Sequence, residues 1–172
     1  VIVHLIAHAK GNEFYERVAH AISQVSGSFS LIILREKELI AIRDPYGVRP
    51  LSLGMKDGAY VIASETCAFD LISATYIRDI EPGEILIINE QGLESMKILN
   101  SQRRAFCIFE FIYFSRPDSN IFGGLNVNEM RKEFGRQLAR ESKTEADLVI
   151  PVPDSGVPAA IGFSEESNIP FD

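Results

Sequence analysis

The chain has 172 residues, 46% hydrophobic and 24% charged, with a formal net charge of −7 at pH 7. This ordinary globular composition excludes collagen-like, low-complexity and wholly disordered classes, and the acidic balance excludes nucleic acid as an expected partner. No apolar run reaches the roughly twenty residues that a membrane-spanning helix needs, so we expect no membrane partner. The two cysteines, Cys67 and Cys107, are too few for a disulfide framework and predict a reducing, cytoplasmic location.

The two ends of the chain resemble the interiors of elements. Residue 1 is valine in an apolar segment that lacks the basic leader and cleavage site of a signal peptide. The last five residues, 168–172, are typical of the entry to a strand. We therefore expect the chain to be a piece of a longer protein.

Two helices are predicted first, over Val1–Ala9 and Glu13–Val25, with Asn12 as the N-cap of the second. The period then changes to that of short strands. Three hairpins with polar turns are predicted, pairing Ser28–Leu34 with Leu39–Ile42, Leu51–Leu53 with Ala59–Ala63, and Glu84–Ile88 with Leu93–Leu99. A short helix, Thr66–Ser73, separates the second hairpin from the third.

The polar stretch Asn100–Arg104 is the predicted linker, and the aromatic segment Phe106–Phe114 follows it. An amphipathic helix is predicted over Val127–Ser142, and its apolar face comprises Met130, Phe134, Leu138 and Ala139.

After that helix, Asp147–Pro151 is predicted to be a buried strand and Val157–Glu166 a helix, which together begin a parallel βαβ unit. The sequence thus predicts an α+β part followed by an α/β part.

The segment Arg43–Pro50 contains two arginines, an acid, two prolines and a glycine. One interpretation is a structural corner, in which Asp44 caps the turn and Gly47 supplies a positive φ. The other is an anion-binding loop built from Arg43 and Arg49. The spacing favours the structural corner.

Two further segments stand where a strand ends and a helix begins. In Ala63–Thr66 a capping role for Ser64 or Thr66 explains the residue types, while Glu65 as an acid–base group lacks an identifiable partner. Pro151–Gly156 lies at the predicted edge of a parallel sheet, where ligands bind, but the residue types favour a turn capped by Asp154 or Ser155.

Metal ligation has little support from spacing alone. His4 and His8 share a helical face, but Leu5 stands where a zinc-protease motif has an acid, which favours packed or rim histidines over metal ligands. Cys107 lies among apolar residues, which is typical of an inert core cysteine, and no second cysteine lies at a metal-binding spacing.

Taken in order, several strings resemble the amidophosphoribosyltransferase family, also called glutamine phosphoribosylpyrophosphate amidotransferase. The strings are Gly27–Ser30, Arg43–Pro50, Ala63–Glu65, Glu81–Glu84, Glu110–Ser119 and Pro151–Gly156, and the most specific is Tyr-Phe-Ser-Arg-Pro-Asp-Ser. The resemblance covers essentially the whole chain.

The resemblance implies an enzyme of two domains. A glutaminase with a four-layer αββα sandwich and an N-terminal nucleophile frees ammonia. A phosphoribosyltransferase then uses ammonia to form 5-phosphoribosylamine, the first step of purine synthesis. It implies that residues 1–92 are the C-terminal part of the glutaminase, and that residues 93–172 are the linker and the first βα unit of the transferase's parallel sheet.

The resemblance also implies that neither catalytic centre is complete here. The family's N-terminal cysteine nucleophile has no counterpart, because the chain begins with Val1 and has no cysteine before Cys67. The family's phosphate loop, paired acids followed by a Gly-Thr-Thr-like cradle, does not occur before Asp172. We expect no catalytic residue in this segment and no activity of the segment alone.

Two positions acquire roles through the resemblance. Cys107 matches the first of four cysteines that hold a [4Fe–4S] cluster in one branch of the family. Tyr113 matches a tyrosine near the interdomain path of ammonia. The implied small molecules are glutamine, phosphoribosylpyrophosphate with Mg²⁺, and regulatory purine nucleotides. The family also implies a homo-oligomer, and no cofactor is expected in the segment itself.

Two alternatives remain. The first part could be the glutaminase half of another amidotransferase, such as asparagine synthetase, but Tyr113–Ser119 and Pro151–Gly156 argue against that interpretation. The chain could instead be an inert or interaction module.

Overall fold

The structure is a computed structural model that describes residues 1–97, 99 and 103–172. The chain forms two compact units. The first comprises Val1–Ser64 and Ser73–Cys107, and the second comprises Glu65–Ile72 and Ile108–Asp172. Most of the predicted linker Asn100–Arg104, namely residues 100–102, lies outside the described residues, as does Ile98 of the third predicted hairpin.

The first unit begins with helices α1 (Ile2–His8) and α2 (Phe14–Ile22). The N-cap of α2 is Glu13 rather than the predicted Asn12. The Glu16 carboxylate accepts hydrogen bonds from the backbone N–H groups of both Asn12 and Glu13, at 2.8 and 3.2 Å. The acid three residues into the helix therefore satisfies the free N–H groups at its start.

Seven strands follow in the described part of the first unit: β1 (Ser30–Leu34), β2 (Glu38–Arg43), β3 (Ser52–Lys56), β4 (Ala59–Ala63), β5 (Thr75–Asp79), β6 (Glu84–Asn89) and β7 (Gly92–Lys97). They form an antiparallel four-stranded sheet in the order β1-β2-β6-β7 and a three-stranded sheet in the order β4-β3-β5. All three predicted hairpins are confirmed, as β1–β2, β3–β4 and β6–β7. Strand β5 is not among the predicted elements, and it pairs with the free side of β3.

Alternation along β2 and β6 divides the core into two layers. Ile40 and Ile42 face one way, together with Ile85 and Ile87, and pack with helices α1 and α2. Ala41 and Leu86 face the other way and pack with Leu51, Leu53 and Ile80 beside the three-stranded sheet. Because side chains alternate across a strand, one sheet separates the helical layer from the second sheet.

The second unit contains helix α3 (Cys67–Ile72), a π-helix (Glu110–Phe114), the short strands β8 (Asn120–Ile121) and β9 (Leu125–Asn126), and helices α4 (Val127–Glu141) and α5 (Gly156–Ser167). Its apolar core comprises Phe111, Ile121 and Val127, with Phe122, Met130 and Phe134 packed against them. The coarse prediction of mixed α and β structure is confirmed in both units.

Helices α4 and α5 pack closely because glycines face each other's backbone. A Cβ atom at Gly135 would collide with the Ala159 carbonyl, and one at Gly162 would collide with the Lys132 carbonyl. The buried residues of α4 are accordingly Val127, Arg131, Gly135 and Ala139, spaced four apart. The predicted apolar face is wrong at Leu138, which is 55% exposed, because the close helix contact selects small residues over large ones.

The predicted buried strand Asp147–Pro151 is also wrong. Val149 makes one parallel bridge, to Phe171, while Leu148 and Ile150 are exposed. Among the described residues, Phe171 is the only bridge partner of Val149. Because the described residues place no further strand beside this segment, Leu148 and Ile150 stay exposed. The helix that follows is present as α5. In the described part of the chain, no helix combines the length and apolar character that crossing a membrane requires.

Candidate functional site

The segment with the most specific sequence signature forms a turn of π-helix, Glu110–Phe114. Single π-helical turns occur frequently at functional sites. Tyr113 is 64% exposed there, and its ring lies 6.0 Å from that of Phe114, edge to face. The Phe114 ring in turn lies 5.6 Å from that of Phe109. The π-helix thus presents an aromatic surface with one phenolic hydroxyl.

Beneath this surface, the π-helix is closed by a buried acid and a buried serine. Glu110 and Ser115 are 3% and 2% exposed. The Ser115 hydroxyl donates to Oε2 of Glu110 at 2.7 Å, and the Ser115 N–H donates to the Glu110 carbonyl at 3.0 Å. These bonds fix the C-terminal end of the π-helix, five residues from its start.

Arg131 of helix α4 binds the same turn from the other side. Its guanidinium is buried, donates from Nε to the Phe111 carbonyl, and donates from Nη2 to the Ser115 carbonyl at 2.8 Å. Burial lowers the pKa of Arg131, and the negative charge of Glu65 opposes that effect. Two carbonyl oxygens thus satisfy a cation that would otherwise be costly to bury.

Glu65, which has no partner identifiable from the sequence, anchors the loop after the π-helix. Its Oε2 accepts hydrogen bonds from the Arg116 N–H and the Ser119 hydroxyl, each at 2.8 Å. The adjacent Thr66 hydroxyl oxygen accepts from the Asn120 N–H at 2.8 Å. These hydrogen bonds, with a longer contact from the Cys67 thiol at 3.9 Å, hold the Glu65 carboxylate within the fold and give no support to an acid–base role.

The arginine-rich corner Arg43–Pro50 belongs to the first unit, and the prediction that it is structural is confirmed. Arg43 donates to three carbonyls, those of Arg49, Gly47 and Ile80, at 2.9, 3.1 and 2.6 Å. Burial lowers the pKa of Arg43, and nearby acids, Asp79 first among them, oppose that effect. The fully buried Asp44 carboxylate accepts from the N–H groups of Tyr46 and Val48.

The segment before the π-helix pairs with this corner. The Ala105 N–H donates to the Tyr46 carbonyl and the Cys107 N–H donates to the Val48 carbonyl, both at 2.9 Å. Cys107 is partly buried and its thiol is free. The two candidate residues therefore belong to different compact units, Cys107 to the first and Tyr113 to the second.

The loop Pro151–Gly156 leads into helix α5 at the end of the Val149 bridge. Ser155 is the N-cap of α5, but no side chain caps the helix, so the predicted cap by Ser155 or Asp154 is not formed. The first-turn N–H groups of α5 therefore lack the side-chain acceptor that a capped helix has.

The hydrogen-bond partners of Arg131 and Glu65 are contacts that the sequence does not reveal. Glu65 lies 51 residues before Arg116, and Arg131 lies 16 residues after Ser115. The one signal in the sequence is that Arg131 lies four residues after Val127 and four before Gly135, on the same face of the helix.

Comparison with known proteins gives a consistent picture. A family described as "Glutamine amidotransferase domain" matches residues 1–70. Amidophosphoribosyltransferase from Bacillus subtilis is 48% identical over 172 residues, covering 100% of this chain and 36% of that protein. The chloroplastic amidophosphoribosyltransferase 1 of Arabidopsis thaliana is 48% identical over 99% of this chain and 30% of that protein. The chain thus spans about a third of the length of these relatives.

A solved structure extends the similarity to the fold. The B. subtilis glutamine phosphoribosylpyrophosphate amidotransferase, complexed with ADP and GMP, superimposes with a TM-score of 0.96 and 47% identity. The match covers 99% of this chain and 37% of that one. The resemblance seen in the sequence is therefore confirmed along the whole chain, and the alternative of another amidotransferase is not favoured.

Proposed function

We propose that this chain, which is similar to amidophosphoribosyltransferases along its whole length, is a segment of such an enzyme. The segment spans the end of the glutaminase domain and the start of the phosphoribosyltransferase domain. The reaction converts phosphoribosylpyrophosphate, glutamine and water to 5-phosphoribosylamine, glutamate and pyrophosphate. The observation that carries the proposal is the 48% identity across all 172 residues. It spans both the segment similar to a glutamine amidotransferase and the segment beyond it.

The finer architecture follows as part of the proposal. Residues 1–92 are the C-terminal part of the glutaminase, and residues 93–172 are the linker and the start of the transferase. The order of one helical layer and two sheets in the first unit supports three of the four layers of an αββα sandwich. Helix α5 lies between Val149 and Phe171, which form a parallel bridge, and this order supports a transferase-type βα unit.

The boundary near residue 92 separates the proposed glutaminase part from the linker and the transferase part, and it stays a prediction. Strand β7 (Gly92–Lys97) pairs along its whole length with β6. The first compact unit extends to Cys107. Residues 93–97 therefore continue the sheet of the first unit, and the boundary at 92 is proposed from the family resemblance alone.

Tyr113 is the residue we propose for the path of ammonia. Its ring is 64% exposed on a π-helix whose backbone is held from below by Glu110, Ser115 and Arg131. An exposed phenol on a fixed backbone can accept or donate a hydrogen bond to a small polar molecule.

Cys107 is proposed as one ligand of a [4Fe–4S] cluster. Such a cluster requires four cysteine thiolates, and the sequence has only two cysteines. The described residues contain no group of three or more His, Cys, Asp or Glu side chains that could hold a metal. The two cysteines of this chain therefore cannot complete a cluster by themselves, and no step of the reaction is assigned to one. Mg²⁺ would accompany phosphoribosylpyrophosphate as part of the substrate.

The proposed partners are small molecules: glutamine, phosphoribosylpyrophosphate and regulatory purine nucleotides. The B. subtilis relative was solved with ADP and GMP bound, which supports nucleotide regulation. A homo-oligomer in the cytoplasm completes the proposal, without nucleic acid or membrane partners.

The test is an assay of an amidophosphoribosyltransferase of full family length that carries this segment. We expect it to form glutamate and pyrophosphate together when it is given glutamine and phosphoribosylpyrophosphate. The 172-residue segment alone should form neither, because it has no terminal nucleophile and no phosphate cradle. A full-length protein that releases no pyrophosphate with either glutamine or ammonia would refute the proposal.

A further inference from the structure

One peptide unit, between Ser115 and Arg116, is held by opposite charges on its two sides. The Ser115 carbonyl accepts a hydrogen bond from Nη2 of Arg131 at 2.8 Å. The N–H on the same peptide, that of Arg116, donates to Oε2 of Glu65 at 2.8 Å. A cation thus binds the negative end of the peptide dipole and an anion binds its positive end.

Both hydrogen bonds are charge-assisted, and such bonds are shorter and roughly twice as strong as neutral ones. Arg131 is 3% exposed, and its Nε donates to the Phe111 carbonyl inside the π-helix. Glu65 also accepts from the Ser119 hydroxyl, three residues farther along the loop. The two charged residues therefore fix the end of the π-helix and the loop that follows it.

The two residues reach this peptide from distant parts of the chain. Glu65 begins the segment Glu65–Ile72, which belongs to the second unit although the residues before and after it belong to the first. Arg131 lies near the start of α4. The orientation of the Ser115–Arg116 peptide thus depends on the segment Glu65–Ile72, which follows glutaminase-like sequence, and on helix α4 of the transferase-like part.

We propose that Glu65 and Arg131 are positioning residues that set the Ser115–Arg116 peptide and so hold the π-helix in the orientation that presents Tyr113 to ammonia. This inference rests on the proposed function. Its consequence is that loss of either bond separates glutamine hydrolysis from the use of its ammonia, while each half reaction continues.

The experiment uses a full-length amidophosphoribosyltransferase carrying this segment, with the variants Glu65→Ala, Glu65→Gln and Arg131→Met. Three rates are measured: glutamate release, pyrophosphate release with glutamine, and pyrophosphate release with added ammonium. Hydrogen exchange of the peptides covering residues 112–119 is followed by mass spectrometry. Asp118→Asn breaks the ion pair with Arg116 in the same loop, and Arg136→Gln, on the same helix as Arg131, breaks the ion pairs with Glu133 and Glu165, so both serve as controls.

Glu65→Ala and Arg131→Met should lower the pyrophosphate formed per glutamate by roughly tenfold, since a misplacement of about 1 Å can reduce a rate on the order of 100-fold. The ammonium-dependent rate should stay within about twofold of the wild-type rate, because no group we assign to that step is removed. Glu65→Gln keeps an oxygen that can accept from the Arg116 N–H, so it should retain most of the coupling. Exchange should accelerate in the two uncoupled variants and not in the controls.

Unchanged coupling in Glu65→Ala, with faster exchange, would overturn the inference, as would equal loss of all three rates. If Arg131→Met does not fold, the pyrophosphate formed per glutamate in Glu65→Ala, compared with that in Glu65→Gln, tests the inference. A wild-type protein without glutamine-dependent pyrophosphate release would refute the proposed function instead. The exchange data would then still test whether the two charges hold the peptide.

Discussion

Arg78 and Glu84 face each other in the first unit through two parallel hydrogen bonds. Nη1 and Nη2 of Arg78 lie 2.8 and 2.7 Å from Oε2 and Oε1 of Glu84. The buried Glu84 carboxylate also accepts from the Ser95 hydroxyl and the Glu81 N–H, each at 2.6 Å. Four hydrogen bonds therefore surround one buried acid where β6 begins, in the four-stranded sheet.

Burial alone would raise the pKa of Glu84, but the hydrogen bonds from Arg78, Ser95 and Glu81 lower it below its ordinary value. Because the pKa is lower in the folded state, ionised Glu84 stabilises the fold above the unfolded pKa of about 4.3. That stabilisation is lost as the pH falls through the folded pKa. Glu84→Gln should lower the free energy of unfolding at pH 7 by about 1–3 kcal/mol.

Chemical denaturation at several pH values checks this prediction. The difference between wild type and Glu84→Gln should shrink as the pH falls below about 4. Glu94→Gln, on the exposed side of β7, is the matched control and should change stability little. A constant difference between pH 7 and pH 3 would contradict the assignment to the carboxylate charge.

Gly47 is required in the corner Arg43–Pro50 for two separable reasons. Its φ is +64°, and a Cβ atom there would lie 2.7 Å from Cγ of Pro82. Gly58 has a φ of +81°, and no atom lies within 4 Å of the place that a Cβ atom would occupy. We expect Gly47→Ala to lower the free energy of unfolding by about 2–4 kcal/mol, and Gly58→Ala by about 1 kcal/mol. Equal losses in thermal melts would show that the contact with Pro82 does not matter.

Gly162 allows the close approach of α5 to α4. A Cβ atom there would meet the Lys132 carbonyl and its neighbouring backbone atoms, which cannot rotate away. Gly162→Ala should therefore destabilise the second unit by about 1–3 kcal/mol. Gly156→Ala is the control, because no atom lies near its Cβ position. It should be neutral or slightly stabilising, since alanine favours a helix more than glycine does. A neutral Gly162→Ala would contradict the packing argument.

The proposal that Cys107 is a cluster ligand is tested by substituting this residue. Iron and sulfide are measured in anaerobically purified, full-length protein, wild type beside Cys107→Ser. We expect the wild type to contain iron and the variant to lose most of it, because a four-thiolate site rarely assembles with one ligand missing. Cys67→Ser is the control and should retain iron. Equal iron in the wild type and Cys107→Ser, or none in the wild type, would identify Cys107 as a packing residue.

Local patterns in the sequence predicted what local physics determines. The β3–β4 hairpin turns at Asp57-Gly58, where both residues have positive φ, 49° and 81°, the conformation that makes an Asp-Gly pair a strong hairpin signal. Pro45 and Gly47 predicted a structural corner for the same kind of reason. Strand β5 has no such local signal, because Thr75–Asp79 is mostly exposed and becomes a strand only through its pairing with β3.

Long-range contacts could not be predicted from the residues alone. Leu138 fits an apolar face by spacing, yet the contact through Gly135 and Gly162 turns it toward solvent. The Arg116 N–H that Glu65 binds is a backbone group, so this partner has no signature in the sequence. The residues that hold the candidate site are therefore those that spacing reveals least.

The most direct test of the proposed function is the fate of the glutamine nitrogen in the full-length enzyme. The protein is given phosphoribosylpyrophosphate and glutamine labelled with ¹⁵N in the side-chain amide, in the presence of excess unlabelled ammonium. Mass spectrometry of the trapped product then measures its ¹⁵N content, in wild type and in Tyr113→Ala. We predict a product that is mainly ¹⁵N-labelled in the wild type and mainly unlabelled in Tyr113→Ala, with glutamate release preserved. A wild-type product carrying only the nitrogen of the bulk ammonium would contradict internal transfer, and equal labelling in both proteins would remove Tyr113 from the path.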